Sequence, residues 1–227
     1  MPVMEKMDEA PAAPGTLEGR GLACKRGRRL LFEGLDIRLE PGSVTWLRGT
    51  NGSGKTSLMR ILAGLSAPAA GEVLWNGQPL KHGDTPGRRG TLYIGHTNAL
   101  KDDLTLLEAL AFLAQLADAP APAAQAEAAL ATLGLTAQRH LPVRNLSQGQ
   151  RRRGALARLA LDEQPRTWIL DEPYDSLDTA STQVLSSLIS AHAARGGAVL
   201  LTSHQAVPLP GLREFDLGEL KVRQGGV

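Results

Sequence analysis

Cysteine is almost missing from this chain. Cys24 is the only one in 227 residues, so no disulfide can close within the chain, and no set of thiolates can gather zinc or an iron–sulfur cluster. A reducing compartment fits that usage. Aromatic residues are scarce as well, at 4%. Charge of one sign is also lacking: 25 Lys and Arg against 23 Asp and Glu leave +2, too little for a chain that coats nucleic acid. No stretch reaches the roughly 20 apolar residues that cross a bilayer. The best candidate, around Leu104 to Leu116, is short and interrupted by Glu108. Residues 1–16 mix acids, Ala and Pro without the apolar region of a signal peptide, which predicts a disordered, uncleaved tail on a protein that stays inside the cell. No repeat of 20 to 50 residues is visible.

What is present is an ordinary globular balance, 42% hydrophobic and 21% charged, over a length that predicts one domain from residue 17 to 227. Leu35, Ile37 and Leu39 alternate along a strand within Leu30 to Leu39 that stops at Pro41-Gly42. Val44 to Leu47 predicts a second strand, followed by a glycine-rich loop and a helix over Ser57 to Leu65. Gly71 to Trp75 and Thr91 to Gly95 predict further strands. From Thr105 to about Gly134 the chain turns to Ala and Leu, broken at Pro120 to Pro122, which predicts two successive helices. A helix at Gln148 to Leu161, a buried strand at Thr167 to Leu170, a helix at Thr182 to Ala194 and a strand at Ala198 to Thr202 complete the pattern. That alternation is α/β with a largely parallel sheet, carrying a helical insert over about 97–160.

Gly49-Thr50-Asn51-Gly52-Ser53-Gly54-Lys55-Thr56, followed by Ser57, fits the P-loop: two glycines flank four residues, then come Lys and a hydroxyl side chain. The setting between a strand and a helix is the one this chemistry needs. The glycines let backbone N–H groups turn toward phosphate oxygens, and the helix directs its positive end at the same anion. Lys55 is positioned for the β- and γ-phosphates of a nucleotide and Thr56 for Mg²⁺. Thr167-Trp168-Ile169-Leu170-Asp171-Glu172 is an apolar strand ending in two acids, at the sheet edge where ligands of such folds bind. Asp171 is read as a ligand to the metal shell and Glu172 as the general base for the attacking water.

Leu146-Ser147-Gln148-Gly149-Gln150 resembles the LSGGQ signature of the ABC ATPases, with Gln148 in place of the first glycine. The order P-loop, signature, paired acids and Thr202-Ser203-His204 also resembles that family, and nearly the whole chain is covered. The resemblance implies a P-loop NTPase core of RecA-like type with a parallel sheet, an antiparallel β part and an ABC helical subdomain. It further implies that Ser147, Gln148, Gly149 and Gln150 act on ATP held by a partner copy, that Ser176-Leu177-Asp178 is the D-loop, and that His204 contacts the γ-phosphate as the switch histidine. One P-loop and one signature per chain require a second copy for two complete sites.

Within the family the sequence is similar to the haem-exporter ATP-binding subunits of bacterial cytochrome c maturation. Gly71-Glu72-Val73-Leu74-Trp75-Asn76-Gly77-Gln78-Pro79-Leu80, Leu92-Tyr93-Ile94-Gly95-His96, Trp168 to Pro173 and Thr202 to Gln205 carry the likeness. His96 stands where ABC cassettes generally place the glutamine of the Q-loop, which touches Mg²⁺; taken alone, a histidine after a strand also fits a structural role. Thr97-Asn98-Ala99-Leu100 replaces the Gln-Pro-Gly that usually follows. The aromatic residue that stacks on adenine is missing from the basic turn Cys24 to Arg29. Arg26 lies nearest that position, and stacking on the base or simple solvation both suit it.

The resemblance implies ATP hydrolysis, ATP and Mg²⁺ as ligands, and two copies of the subunit on integral membrane permease subunits at the cytoplasmic face of the bacterial inner membrane. It implies an indirect link to a haem chaperone and no nucleic-acid partner. An ABC subunit for another cargo is the alternative. A nucleotide switch without turnover lacks the support of Glu172 and His204, and a nucleic-acid-remodelling ATPase rests only on Arg151-Arg152-Arg153 and the basic turn at Arg26.

Overall fold

The computed structural model describes residues 14–80, 90–117 and 121–218. Two sheets form the scaffold. β1 (Leu17–Arg26), β2 (Arg29–Leu39), β4 (Ala70–Trp75) and β5 (Gln78–Pro79) make an antiparallel sheet in the order β2-β1-β4-β5. β3 (Val44–Arg48), β6 (Thr91–Ile94), β7 (Thr167–Leu170), β8 (Ala198–Leu201) and β9 (Arg213–Asp216) make a parallel sheet in the order β6-β7-β8-β3-β9.

The helices are α1 (Lys55–Leu62), α2 (Leu106–Leu116), α3 (Ala123–Thr132), α4 (Gln148–Leu161) and α5 (Thr179–Ala194). Two hydrophobic clusters lie on opposite faces of the parallel sheet. Trp168 and Leu170 of β7, with Val199 and Leu201 of β8, join α2 to α5 in one cluster. Ile169, Ala198 and Leu200 face the other way, into a cluster with α1 and the antiparallel sheet. This is why β7 and β8 read as unbroken apolar runs: alternate side chains leave opposite faces, and both faces are covered. The helical insert has no core of its own, because Leu106, Leu110, Leu130 and Leu156 share the first cluster with the sheet.

The predicted elements are present, with shifted ends. α5 starts at Thr179 rather than Thr182 because the exposed Asp178 side chain accepts from the Ser181 N–H at 2.7 Å and caps the helix. α1 starts at Lys55 rather than Ser57. α4 and β7 have the predicted limits.

Three strands are not evident in the sequence. β1 contains Gly19 and Gly21 and pairs through several register shifts, which hide its period of two. The basic turn at Cys24 to Arg29 is in fact a hairpin: Arg26 pairs with Arg29, and Gly27-Arg28 make the turn. β5 is two residues long, and β9 is a short edge strand with half-exposed or exposed side chains, so neither leaves an apolar pattern.

At the chain start, Thr16 and Asn76 are joined twice. The Thr16 N–H donates to Asn76 Oδ1 at 2.8 Å, and the Asn76 N–H donates to the Thr16 carbonyl at 2.9 Å. The tail expected over 1–16 otherwise lies outside the described residues up to residue 13, as do the first residue of the helix break expected at Pro120 to Pro122 and residues 81–89, 118–120 and 219–227 of the predicted domain.

Candidate nucleotide site

β3 delivers the chain to the P-loop at the carboxyl edge of the parallel sheet. Gly49 has φ 142, and a Cβ there would come within 2.8 Å of Ser53 Oγ; Gly54 has φ 111 and lies against Phe32. Both are conformations that side chains resist, so the glycines keep the loop tight enough for α1 to begin at Lys55. The Lys55 ammonium folds back over the loop, donating to the Gly49 carbonyl at 2.7 Å and the Thr50 carbonyl at 3.4 Å. Ser53 Oγ is buried and has no hydrogen-bond partner among the described residues.

A cleft of about 470 Å³ opens over this loop. Asn51, Gly52, Gly54, Lys55, Thr56 and Ser57 line one side, and Asp171, Glu172, Asp175, His96 and His204 line the other. Arg26, Arg29 and Leu31 close one end. The parallel sheet thus brings together residues from four separate stretches of sequence. Cys24, near that end, has its thiol pushed up by burial, against a hydrogen bond from Ser57 that pulls it down.

Asp171 and Glu172 are both buried, at 3% and 8% exposure. The Asp171 N–H donates to the Ile94 carbonyl, and Asp171 Oδ1 accepts from Thr202 Oγ1 at 2.9 Å. The same hydroxyl accepts from the Glu172 N–H at 2.8 Å. Glu172 has φ 49, a left-handed conformation that costs a non-glycine residue about 1 to 3 kcal/mol. Its carboxylate accepts from the His204 N–H at 3.0 Å and lies 3.6 Å from His204 Nε2. Burial pushes the Glu172 carboxyl above the usual range, His204 lowers it, and Asp175 and Asp171 raise it further. A raised carboxylate next to a polar cleft has the character of a general base.

Asp171 and Thr56 offer hard oxygen donors to one cleft, which fits Mg²⁺. Among the described residues no group of three or more His, Cys, Asp or Glu is placed to hold a metal. His96 is exposed at the end of β6 and reaches the cleft, but an imidazole is a poor direct ligand for this ion.

The predicted signature stands apart from the cleft: none of Ser147, Gln148, Gly149 and Gln150 lines it. Ser147 caps α4 in a capping box, its hydroxyl accepting from the Gln150 N–H at 3.2 Å while Gln150 Oε1 accepts from the Ser147 N–H at 2.9 Å. Gly149 packs on the predicted D-loop: a Cβ there would lie 2.9 Å from the Ser176 carbonyl oxygen, and Ser176 itself has φ 63.

The run Arg151-Arg152-Arg153 is not a free basic patch. Arg151 donates to the Leu146 and Arg144 carbonyls, Arg153 to the Leu133 carbonyl, and Arg152 is 3% exposed. Thr202, Arg152, Asp175 and Arg29 are site-forming residues that sequence reasoning did not single out. Thr202 lay inside the quoted Thr202-Ser203-His204, and Arg152 was masked by its basic neighbours.

The ABC transporter family model matches residues 32–175, more than half of the chain. The chain belongs to the ABC transporter family. Among ABC transporter proteins it is 47% identical, over 204 residues, to the cytochrome c biogenesis ATP-binding export protein CcmA of Dechloromonas aromatica (strain RCB), covering 89% of this chain and 100% of that one. A solved ATP-binding subunit of an ABC transporter superposes with a TM-score of 0.73 at 26% identity, covering 83% of this chain and 79% of the other. An ABC transporter cassette solved as a dimer in a post-hydrolysis state with ADP and Pi gives a TM-score of 0.74 at 20% identity, covering 83% of this chain and 88% of that chain, a likeness of fold.

Proposed function

We propose that this chain is the ATP-hydrolysing subunit of an ABC complex that serves c-type cytochrome biogenesis, driving release of a haem-loaded chaperone. The observation that carries the chemistry is the buried Glu172 carboxylate at the cleft, held by His204 and facing the P-loop. The relative's name, over its full length, supports the biological role.

In this reading Lys55 leaves the Gly49 and Thr50 carbonyls for the β- and γ-phosphates, and the N–H groups of residues 51 to 56 surround the phosphate chain. Thr56 and Asp171 would hold Mg²⁺, which would supply charge neutralisation at the phosphates, and His96 lines the same cleft. Glu172 accepts the proton of the attacking water, and His204 keeps the carboxylate aimed while its ring faces the γ-phosphate. Arg26 and Arg29 meet the base.

The signature acts on a second copy. Ser147 and the free N–H groups at the start of α4 face outward, away from the chain's own cleft, and are suited to a phosphate held by a partner. The solved cassette dimer of the same fold supports two copies. Among the described residues no helix is long and apolar enough to cross a membrane. In this reading integral membrane permease subunits hold the chain at the cytoplasmic face.

The test is Glu172→Gln in cells that make c-type cytochromes, read on haem-stained gels. Covalent cytochromes disappear and haem accumulates on its chaperone, because loading precedes the ATP-dependent step. Normal cytochromes in a variant confirmed to lack ATPase activity would sink the haem assignment and leave the ATP chemistry intact.

A further inference from the structure

Three adjacent arginines follow the signature, and only the middle one is buried. One terminal nitrogen of Arg152, Nη1, donates to the Gly95 carbonyl at 2.8 Å and to Asn98 Oδ1 at 3.3 Å. The other, Nη2, donates to the Asp171 carbonyl at 2.8 Å and the Glu172 carbonyl at 2.7 Å. Among the described residues neither makes an ion pair with a carboxylate, and both are spent on fixing backbone and one amide. Burying a guanidinium costs more than packing an apolar side chain would, so its place needs another reason.

That reason lies in what it grips. Glu172 stands in a left-handed conformation that a glutamate leaves readily unless both of its peptide groups are restrained. Thr202 accepts from the N–H side, and Arg152 holds the carbonyl side. The rest of the fork reaches the segment immediately around His96. Arg152 itself rides on α4, in the second turn after Ser147.

We propose that Arg152 is a positioning residue for hydrolysis: its fork locks the backbone of Glu172 and joins it to the 95–98 segment and to the signature helix, so that the three shift as one unit. The proposal rests on Glu172 being the general base. A planar fork is required because four acceptors lie on two sides of one group; the ammonium of a lysine keeps the charge but cannot span them. The effect on nucleotide affinity is small, since Arg152 does not line the cleft.

The experiment uses the complex purified from membranes with wild-type chain, R152K, R152Q and E172Q. Turnover at saturating Mg-ATP, affinity for a fluorescent non-hydrolysable ATP analogue and the melting temperature are measured for each. E172Q loses about 10²-fold or more in rate. R152Q loses on the order of 10²-fold in kcat, the scale of a small misplacement of a catalytic group, with affinity within threefold of wild type, and R152K recovers part of the rate.

A folded R152Q with wild-type turnover, or one whose rate and affinity fall together, overturns the proposal. If R152Q does not fold, R152K decides, and wild-type turnover there overturns it too. Failure of both to fold makes Arg152 a structural strut and equally ends the proposal. An E172Q variant that still turns over at the wild-type rate removes the general-base reading itself. An inactive E172Q beside fully active Arg152 variants removes only the positioning role.

Discussion

His204 meets both oxygens of Glu172, its backbone N–H at 3.0 Å from Oε2 and its ring Nε2 at 3.6 Å from Oε1. The backbone contact survives truncation of the side chain, and the ring contact does not. His204→Ala is therefore expected to lower kcat by about 10²-fold, the low end of a general-base contribution, with nucleotide affinity little changed. Steady-state turnover beside a binding titration separates the two.

The same pair sets a pH dependence. Burial holds the Glu172 carboxyl above the usual range, so the rate falls as pH drops through a midpoint higher than an exposed glutamate would give. Because His204 lowers that midpoint, His204→Ala shifts the acid limb of kcat further toward neutral pH. An acid limb unmoved in the variant would show that the histidine charge is not felt at Glu172.

His192 lies flat on Trp168, ring centroids 3.6 Å apart at 9°, with Nε2 2.8 Å from the Arg166 carbonyl. It is fully buried, and desolvation pushes it down to about 4. The folded value is below the unfolded one of about 6.5, so the unfolded chain binds the extra proton first. The stability contribution is complete above about pH 6.5 and is lost as pH falls toward 4, amounting to about 3 kcal/mol. Urea unfolding at pH 7 and pH 4.5 is expected to show this loss in the wild type and much less of it in His192→Phe, which keeps the stack.

Gly149→Ala puts a methyl group 2.9 Å from the Ser176 carbonyl oxygen, at a segment already held at φ 63. The segment must give way, at about 1 to 3 kcal/mol. Hydrolysis is expected to fall well beyond that stability loss, with nucleotide affinity of the isolated chain unchanged. A calorimetric scan and a turnover assay on one preparation check both.

Arg26, Arg29 and Leu31 line the cleft, and among the described residues no Phe, Tyr or Trp side chain does. Weak discrimination follows: ATP and GTP are expected to bind within about tenfold, or about 1.4 kcal/mol. Arg26→Ala weakens both alike. A thousandfold preference for ATP in calorimetry would mean that another group reads the base.

The sequence was most legible where one residue type has one physical use. The P-loop glycines, the β7 run and the ends of α4 were set by local rules of turn, burial and capping. β1 was illegible because its bulges break the alternation that marks a strand, and β9 because an exposed edge needs no apolar pattern. Arg152 was illegible for another reason: three identical neighbours differ only in the direction each leaves the helix, and that direction matters only once β6 and β7 are in place. Asp178 was read by its loop, whereas locally it is the residue that decides where α5 begins.

The two ends of the cleft stand on unequal foundations. Asp171 and Glu172 follow β7, whose four residues are buried on both faces, while Arg26 and Arg29 are the paired strand ends on either side of an exposed two-residue turn. Natural variation should follow that inequality. The hairpin is free to exchange one exposed residue for another as lineages diverge, whereas Trp168, Ile169 and Leu170 can drift only in step with partners on opposite sides of the sheet.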